Sequence, residues 1–248
     1  MFEAADFEFD LSVRIVHVWR IDISASNAVA ERLLPLLARD ERDRAAGFRF
    51  DGHRNSFIAA HGALRILLGR YLNDDASNIQ LTYGSKGKPS LAGPSRIRFN
   101  ASHSGRLALV ALTLDCDIGV DVEQIRPFPN VHEVINRFFS AEEAAELSSL
   151  PADEHASAFF RCWTRKEAYI KAIGDGLSAP LNDFRVTMQP GEPARLIHVA
   201  HDPAAASAWN LHDLQVASSY AAALAYRDLP RLIHVTPLVE PAELLELA

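Results

Sequence analysis

The sequence has few cysteines and no excess of basic residues, and each absence excludes a class of protein. Cys116 and Cys162 are the only cysteines among 248 residues, and they lack the paired spacing of a zinc site or a redox motif. The formal net charge of −7 argues against a general nucleic-acid binder, because affinity for the phosphate backbone comes from a continuous basic face. Any anion site in this chain must therefore be local.

Long apolar runs are also missing from the sequence. No stretch approaches the roughly 18 uninterrupted apolar residues that a membrane-spanning helix needs. Residues 1–10 are acidic, without the basic start and apolar run of a secretory signal. We therefore expect a cytoplasmic protein, acting as a monomer without nucleic acid or membrane, with 48% apolar residues to form its core.

The spacing of apolar residues in the first half predicts a strand, two helices and a loop. Residues 12–20 alternate apolar and polar side chains, as in a half-buried strand. Helical patterns follow over 26–46, with an interruption at Pro35, and over 51–72, ending at Asn73. Residues 84–95 contain three glycines and two prolines and predict a loop.

The rest of the chain predicts strands on either side of a helical region. Short apolar runs predict consecutive strands over 96–100, 107–114 and 118–123. The spacing of Ser140 and Glu143 predicts a capping box, and Pro151 ends that helix. A longer helix over 153–173 stops at Gly174 and Gly176. Further strands are predicted over 183–188, 194–200, 209–217 and 220–227.

The two halves show a similar order of a long helix followed by antiparallel strands, and residues 217–226 faintly resemble residues 101–110. If this is a repeat, the fold is α+β, with halves 1–117 and 118–248 related by pseudo-twofold symmetry. The site would then lie in the cleft between the halves, a common position for ligand pockets. Chance similarity between two small apolar strands is the alternative interpretation.

Asp121 and Glu123 form the first candidate site. Strand alternation places both side chains on one face, with Cα atoms roughly 6–7 Å apart. Two carboxylates repel unless a cation lies between them, and Mg²⁺ prefers carboxylate and phosphate oxygen. From the spacing alone, an exposed polar strand face is the preferred interpretation of this pair.

Glu167 and Lys171 form the second candidate site, on the predicted helix 153–173. They are i,i+4 neighbours, and Trp163 lies one turn before Glu167. A routine surface ion pair is one interpretation. The other is a phosphate flanked by Glu167 and two lysines, Lys166 and Lys171, with the carboxylate able to act as a metal ligand or base. The spacing alone does not choose between them.

Other residues offer polar or basic groups that suit an anion. Lys88 lies in the predicted loop, and Ser102 and His103 lie at a turn between strands. A Ser-His hydrolase is discounted, because the chain has no G-x-S-x-G elbow. A run of arginines alternates with acidic residues, which is typical of a solvated helix face, although one or two could clamp a phosphate. Its members are Arg39, Arg42, Arg44, Arg49 and Arg54.

Six motifs in order resemble the 4′-phosphopantetheinyl transferases, and specifically their long, surfactin-synthetase-type class. The resemblance covers about residues 40–190. The motifs are Gly-Lys-Pro at 87–89, Phe-Asn-Ala-Ser-His-Ser-Gly at 99–105, Ile-Gly-Val-Asp-Val-Glu at 118–123, Phe-Phe-Ser at 138–140, Trp-Thr-Arg-Lys-Glu-Ala-Tyr-Ile-Lys at 163–171, and Gly-Asp-Gly-Leu-Ser at 174–178.

This resemblance implies a pseudo-twofold α+β fold, coenzyme A as phosphopantetheine donor, Mg²⁺ as cofactor, and a serine of an acyl or peptidyl carrier protein as acceptor. The first half would contact the adenosine and phosphates, and the second would hold Mg²⁺ and pyrophosphate. The implied metal ligands are Asp121, Glu123 and Glu167. The implied coenzyme contacts are Arg54 on the 3′-phosphate, Lys88 and Ser102 in the pocket, His103 on an adenosine phosphate, and Lys171 with nearby Lys166 on the pyrophosphate.

The resemblance leaves the base that takes the serine proton open between Glu167 and, through a water, Glu123. Glu167 is favoured because it would neighbour the incoming hydroxyl, yet a metal ligand is a weakened base. A non-catalytic coenzyme- or carrier-binding homologue and an unrelated Mg²⁺-dependent phosphohydrolase are the competing hypotheses. Mg²⁺ against Mn²⁺ preference and the identity of the carrier stay undetermined by the sequence.

Overall fold

A computed structural model of the protein describes residues 7–128, 131–174, 180–200, 202 and 204–247. It is an α+β fold of mixed helices and sheets, as the sequence predicts. Within the described residues, no helix is both long enough and apolar enough to cross a membrane. Residues 175–178 of the Gly-rich motif, which include the predicted helix stop at Gly176, lie outside the described residues.

The first part of the chain contains three helices and five strands. Its long helix α3 occupies the predicted range, with a left-handed Asn73 at its end. The predicted helix over 26–46 is instead two helices, because Pro35 lies in a short 3₁₀ turn between them. The elements are β1 (Ile15–Asp22), α1 (Asn27–Leu33), α2 (Arg39–Ala46), α3 (Asp51–Leu72), β2 (Leu81–Tyr83), β3 (Pro89–Leu91), β4 (Ile97–Ser104) and β5 (Leu107–Leu114).

The second part has the same kinds of elements. The capping box of Ser140 and Glu143 is present and starts α5. The long helix α6 ends at Gly174, which adopts the left-handed conformation. The elements are β6 (Ile118–Gln124), α4 (Val131–Phe138), α5 (Ala141–Ser148), α6 (His155–Ile173), β7 (Phe184–Val186), β8 (Leu196–Val199), α7 (Ala205–Ala208), β9 (Trp209–Asp213), β10 (Tyr220–Arg227), β11 (Leu232–Val239) and α8 (Pro241–Leu244).

The sheets repeat one strand order. In the first sheet β5 lies between β1 and β4, and in the second β10 lies between β6 and β9. All four of these pairings are antiparallel. A short hairpin precedes the last two strands of each set, β2–β3 in the first and β7–β8 in the second. Each part therefore runs strand, long helix, hairpin, strand, strand.

Strand β11 was not predicted. It follows the second set of elements but pairs in parallel with β1, at the edge of the first sheet. The pairing register shifts between Val18 and Arg20, opposite Thr236 and Pro237. Proline has no backbone N–H to donate to a neighbouring strand, so an irregularity at this position is expected. The chain after residue 231 therefore completes the first sheet rather than the second.

Helix α6 crosses β6 at very short range. A Cβ atom at Gly119 would collide with the carbonyl of Ala168 and the amide of Ala172, both of which are backbone groups. Only glycine fits there without moving the helix. This approach brings the last turns of α6 over the strand that carries Asp121 and Glu123.

Candidate active site

A cleft between the two sheets collects most of the predicted site residues. Its walls come from β4, β6 and α6, and the two strands belong to different sheets. The residues that line it are Ala101, Ser102, His103, Asp121, Glu123, Trp163, Glu167 and Lys171. The strand alternation and the helical spacing read from the sequence therefore converge on one place.

Asp121 is the most buried carboxylate of the cleft, with 4% of its surface exposed. Its Oδ1 accepts hydrogen bonds from Lys171 Nζ at 2.6 Å and from Ser102 Oγ at 2.8 Å. Lys171 Nζ also donates to Ser102 Oγ at 2.9 Å. Burial raises the pKa of Asp121, and the Lys171 ammonium opposes that rise. Lys171 therefore keeps a charged carboxylate tolerable in this position.

Glu123 lies two residues further along β6 and is less buried than Asp121. Its Oε2 accepts a hydrogen bond from Ser104 Oγ at 2.7 Å. Burial, and to a lesser degree the charge of Asp121, raises the pKa of Glu123. The two strand carboxylates thus interact electrostatically across the same small space.

Glu167 approaches the strand carboxylates from α6. Burial is the largest cause that raises the pKa of Glu167 to about 7, and the charges of Asp121 and Glu123 add to it, whereas Lys171 lowers it. Three carboxylates and one ammonium leave an excess of negative charge in the cleft. That excess is what a cation would neutralise.

Two oxygens of this carboxylate cluster are available for a ligand. Asp121 Oδ2 and Glu167 Oε1 are buried and have no hydrogen-bond partner. Buried carboxylate oxygens without partners are costly, and hard cations such as Mg²⁺ bind such oxygens. The donor set therefore fits Mg²⁺. Across the described residues, no three His, Cys, Asp or Glu side chains are already arranged as a metal site, and Lys171 holds the other Asp121 oxygen.

His103 lines the cleft, and Lys88 lies in a hollow that adjoins it. Lys88 lines an adjoining hollow that shares Ala101 and Lys171 with the cleft, and its Nζ donates to the carbonyl of Ala172 at 2.9 Å. His103 lines the cleft itself, and burial is the main cause that lowers the pKa of its imidazole. The neighbouring charges of His61, Lys171 and Arg44 lower the pKa of His103 further.

The structure does not bring two predicted contacts into the cleft. Lys166 is fully buried on the other side of α6, where its Nζ pairs with Glu143 at 2.8 Å. Its ammonium also donates to the carbonyls of Leu181 and Phe184. The structure therefore does not bring Lys166 together with Lys171 in the cleft. Arg54 is not among the cleft residues, and its guanidinium lies 3.4 Å from Glu31.

Ser104 contacts the site but does not stand out in the sequence. It is part of the Ser-His-Ser motif, and strand alternation places it on the same face as Ser102. Its contact with Glu123 joins two strands, and no spacing within the sequence indicates that pairing.

Comparisons with known proteins show which family the chain is similar to. A family model described as the 4′-phosphopantetheinyl transferase superfamily matches residues 117–225. The 4′-phosphopantetheinyl transferase HetI of Nostoc sp. is 39% identical over 213 residues, which cover 85% of this chain and 86% of HetI. The 4′-phosphopantetheinyl transferase Sfp of Bacillus subtilis is 31% identical over 186 residues, which cover 74% of this chain and 81% of Sfp.

The chain therefore belongs to the 4′-phosphopantetheinyl transferase superfamily. Within it, the similarity to HetI and Sfp over most of the chain confirms the resemblance to the long, surfactin-synthetase-type class. A solved structure of a Thermotoga maritima holo-acyl-carrier-protein synthase covers 45% of this chain and 62% of its own, at 20% identity and a TM-score of 0.36. That likeness is too low to support an argument.

Proposed function

We propose that this enzyme transfers the 4′-phosphopantetheine group of coenzyme A to a serine of an acyl or peptidyl carrier protein in a Mg²⁺-dependent reaction. The serine oxygen attacks the β-phosphorus of the pyrophosphate, and the bond from that phosphorus to the bridging oxygen breaks. The products are the phosphopantetheinylated carrier and adenosine 3′,5′-bisphosphate. The serine proton passes to a base of the enzyme.

The observation that carries this proposal is the meeting of three carboxylates and Lys171 in one cleft between two sheets. Asp121, Glu123 and Glu167 would hold Mg²⁺, and the two unpartnered oxygens support that assignment. When bound there, the cation supplies positive charge against the pyrophosphate as negative charge develops on it. Such preorganised charge is usually the largest contribution to this kind of catalysis.

The basic side chains around the carboxylates would bind the phosphates of coenzyme A. Lys171 lines the cleft and would bind the pyrophosphate. His103 and Lys88 would contact the phosphate and the pocket of the adenosine part, as the resemblance implies. Arg54 stays the proposed contact of the 3′-phosphate, although it does not line the cleft. Lys166 has no part in this assignment, because it is paired inside the protein.

We assign the base to Glu167 rather than to Glu123. Glu167 Oε1 is assigned to the cation, so the second oxygen of this carboxylate would take the proton. Glu123 has no such second oxygen to spare, because its Oε2 already accepts the hydroxyl of Ser104 and the other would bind the cation. Without the cation, burial and the neighbouring carboxylates raise the pKa of Glu167 to about 7.

We also propose that residues 1–117 and 118–248 are two halves related by pseudo-twofold symmetry. The repeated element order and strand order support this relation. The cleft then lies between the halves, with Ser102 and His103 from the first and the carboxylates and Lys171 from the second. Strand β11 is the exception, since it comes from the second part and joins the first sheet.

An intact-mass assay tests the activity directly. The purified protein, coenzyme A and Mg²⁺ are incubated with a panel of apo-carrier proteins, and we expect a gain of roughly 340 Da on a carrier. Changing the carrier's acceptor serine to alanine should abolish the gain. Absence of the gain on every carrier, with metal and coenzyme verified, would overturn the proposed function.

The panel also addresses the partner and the setting of the reaction. Partner choice depends on shape and charge complementarity across a small interface, so the carriers are ranked by rate rather than inferred from the fold. We place the reaction in the cytoplasm and expect a monomer, which size-exclusion chromatography with light scattering checks. Replacing Mg²⁺ with Mn²⁺ in the same assay measures the metal preference.

A further inference from the structure

Strands β4 and β6 are held together by side chains at the point where the two sheets meet. They belong to different sheets, yet residues 100, 102 and 104 of β4 each bond to β6. We call this set of contacts the β4–β6 seam. It consists of Val120 N to Asn100 Oδ1 at 2.9 Å, Ser102 Oγ to Asp121 Oδ1 at 2.8 Å, Ser104 Oγ to Glu123 Oε2 at 2.7 Å, and Gln124 N to Ser104 Oγ at 3.1 Å.

Ser104 accepts one hydrogen bond and donates another in this seam. Its oxygen accepts the backbone N–H of Gln124, and its hydroxyl proton is donated to Glu123 Oε2. A hydroxyl has a single proton to donate. Because the backbone of β6 fixes the oxygen, the direction of that proton is fixed as well. Ser104 therefore presents an oriented donor to one particular carboxylate oxygen.

The two serines of the seam differ in what else they contact. Ser102 is shared between Asp121 and Lys171, so its removal would disturb both the carboxylate and the ammonium. Ser104 bonds to Glu123 and to the backbone, and no bond to Lys171 is among its contacts in the described structure. Glu123 is also only half-buried, so packing restricts its side chain less than that of Asp121. The orientation of Glu123 therefore depends on Ser104.

We infer that Ser104 is a positioning residue, which holds Glu123 in the orientation that the proposed Mg²⁺ site requires. This inference rests on the proposed function, because it assumes that Glu123 is a metal ligand. One oxygen of Glu123 is occupied by Ser104, which leaves the other for the cation. Partners that orient a metal ligand typically change metal affinity by about 10- to 100-fold when they are removed.

Metal binding to the complex with coenzyme A, without a carrier, tests this role separately from turnover. Mn²⁺ is used as the probe, and bound metal is measured by the loss of the free-ion signal in electron paramagnetic resonance. We expect Ser104→Ala to weaken Mn²⁺ binding about 10-fold or more. Ser104→Thr should restore most of it, because it keeps the hydroxyl. Ser148→Ala is the matched control, since that serine bonds to a carbonyl on the exposed face of α5.

The possible results test the positioning role of Ser104 separately from the existence of the metal site. Weak binding by Ser104→Ala and near-normal binding by Ser104→Thr, with coenzyme affinity unchanged in the absence of metal, support the inference. Equal Mn²⁺ affinity in Ser104→Ala and the wild type overturns it. Equal loss in the alanine and threonine variants overturns it too, because the hydroxyl is then not the cause. A wild type that binds no Mn²⁺ overturns the metal site, and the mass assay then decides whether transfer survives.

Discussion

Two buried ion pairs occupy corresponding places in the two parts of the molecule. In the first, Glu41 is the third residue of α2 and pairs with Arg65 of α3 at 2.6 Å. In the second, Glu143 is the third residue of α5 and pairs with Lys166 of α6 at 2.8 Å. Each glutamate also accepts the backbone N–H of the residue before its helix. The same device therefore anchors each long helix.

The similarity between the two parts extends to their hairpins. Arg65 donates to the carbonyl of Ile79, just before β2, and Lys166 donates to the carbonyl of Leu181, just before β7. Each glutamate also has a second side-chain contact. His61 Nδ1 lies 2.8 Å from Glu41 Oε1, and Cys162 Sγ lies 3.8 Å from Glu143 Oε1. Each buried charge is thus paired and hydrogen-bonded, as burial requires.

The difference lies one residue further along each long helix. Lys166 is followed by Glu167, which enters the cleft, whereas Arg65 is followed by Ile66, which is buried in the apolar core. Lys171, five residues after Lys166, pairs with Asp121. Arg70, five residues after Arg65, instead lies over the ring of Phe9 at 5.2 Å. The two parts therefore share a way of fixing a helix, and in the described residues the neighbouring face lines the cleft in the second part but packs into the core in the first.

Glu167 follows Lys166, and Ile66 follows Arg65. Changing these two residues should separate the proposed catalytic role of one from the packing role of the other most strongly. We expect Glu167→Gln to lower kcat about 10²- to 10⁴-fold, because it removes the proposed base and alters a metal ligand. We expect Ile66→Val to leave kcat unchanged and to lower the free energy of unfolding by about 0.5–1.5 kcal/mol. Intact-mass kinetics and urea denaturation measure the two quantities. A normal kcat in Glu167→Gln would contradict the assignment of the site.

Breaking the ion pairs tests whether they are equivalent. Arg65→Met and Lys166→Met each leave a buried glutamate without its cation, so each should lower the free energy of unfolding by about 3–5 kcal/mol. Urea denaturation of both variants gives the comparison, and Arg39→Met is a control for an exposed arginine. If Lys166→Met cost less than about 1 kcal/mol, its pair would not have the structural role described here. The metal affinity of folded Lys166→Met should match that of the wild type.

Two glycines offer a smaller test of the same comparison. A Cβ at Gly119 would meet backbone of α6, which cannot yield without moving the helix, so we expect Gly119→Ala to destabilise by about 1–3 kcal/mol. A Cβ at Gly62 would meet the side chain of Leu33 at 3.0 Å, which can adjust, and alanine favours the helix by about 1 kcal/mol. Gly62→Ala should therefore change stability by less than about 1 kcal/mol in urea denaturation. Equal losses in both variants would show that α6 is not uniquely constrained.

The local patterns of the sequence predicted the elements of the site but not all of its contacts. Strand periodicity placed Asp121 and Glu123 on one face, and helix periodicity placed Glu167 with Lys171. The prediction that Lys166 and Lys171 flank one phosphate does not allow for the same periodicity, because adjacent helix residues point about 100° apart and Lys166 therefore turns away from Glu167. The bond between Ser104 and Glu123 joins two strands across the cleft, and no local pattern encodes that pairing.

The missed strand β11 has a physical reason of its own. Pro237 interrupts an otherwise apolar run, and a proline argues against a strand unless it lies at an edge or a bulge. The parallel partner of β11 is β1, more than 200 residues earlier, so the pairing depends on the complete fold. The sequence does predict α3 well, because its apolar residues and the Asn73 stop are local signals.

The position of β11 also has a consequence for association with other chains. β11 is the outer strand of the first sheet, so it covers the edge that β1 would otherwise expose. An exposed strand edge is a template for pairing with another chain. Pro237 lies in β11 and has no backbone N–H to donate, so the edge that this sheet presents to solvent is a poorer template for such pairing than a strand without proline.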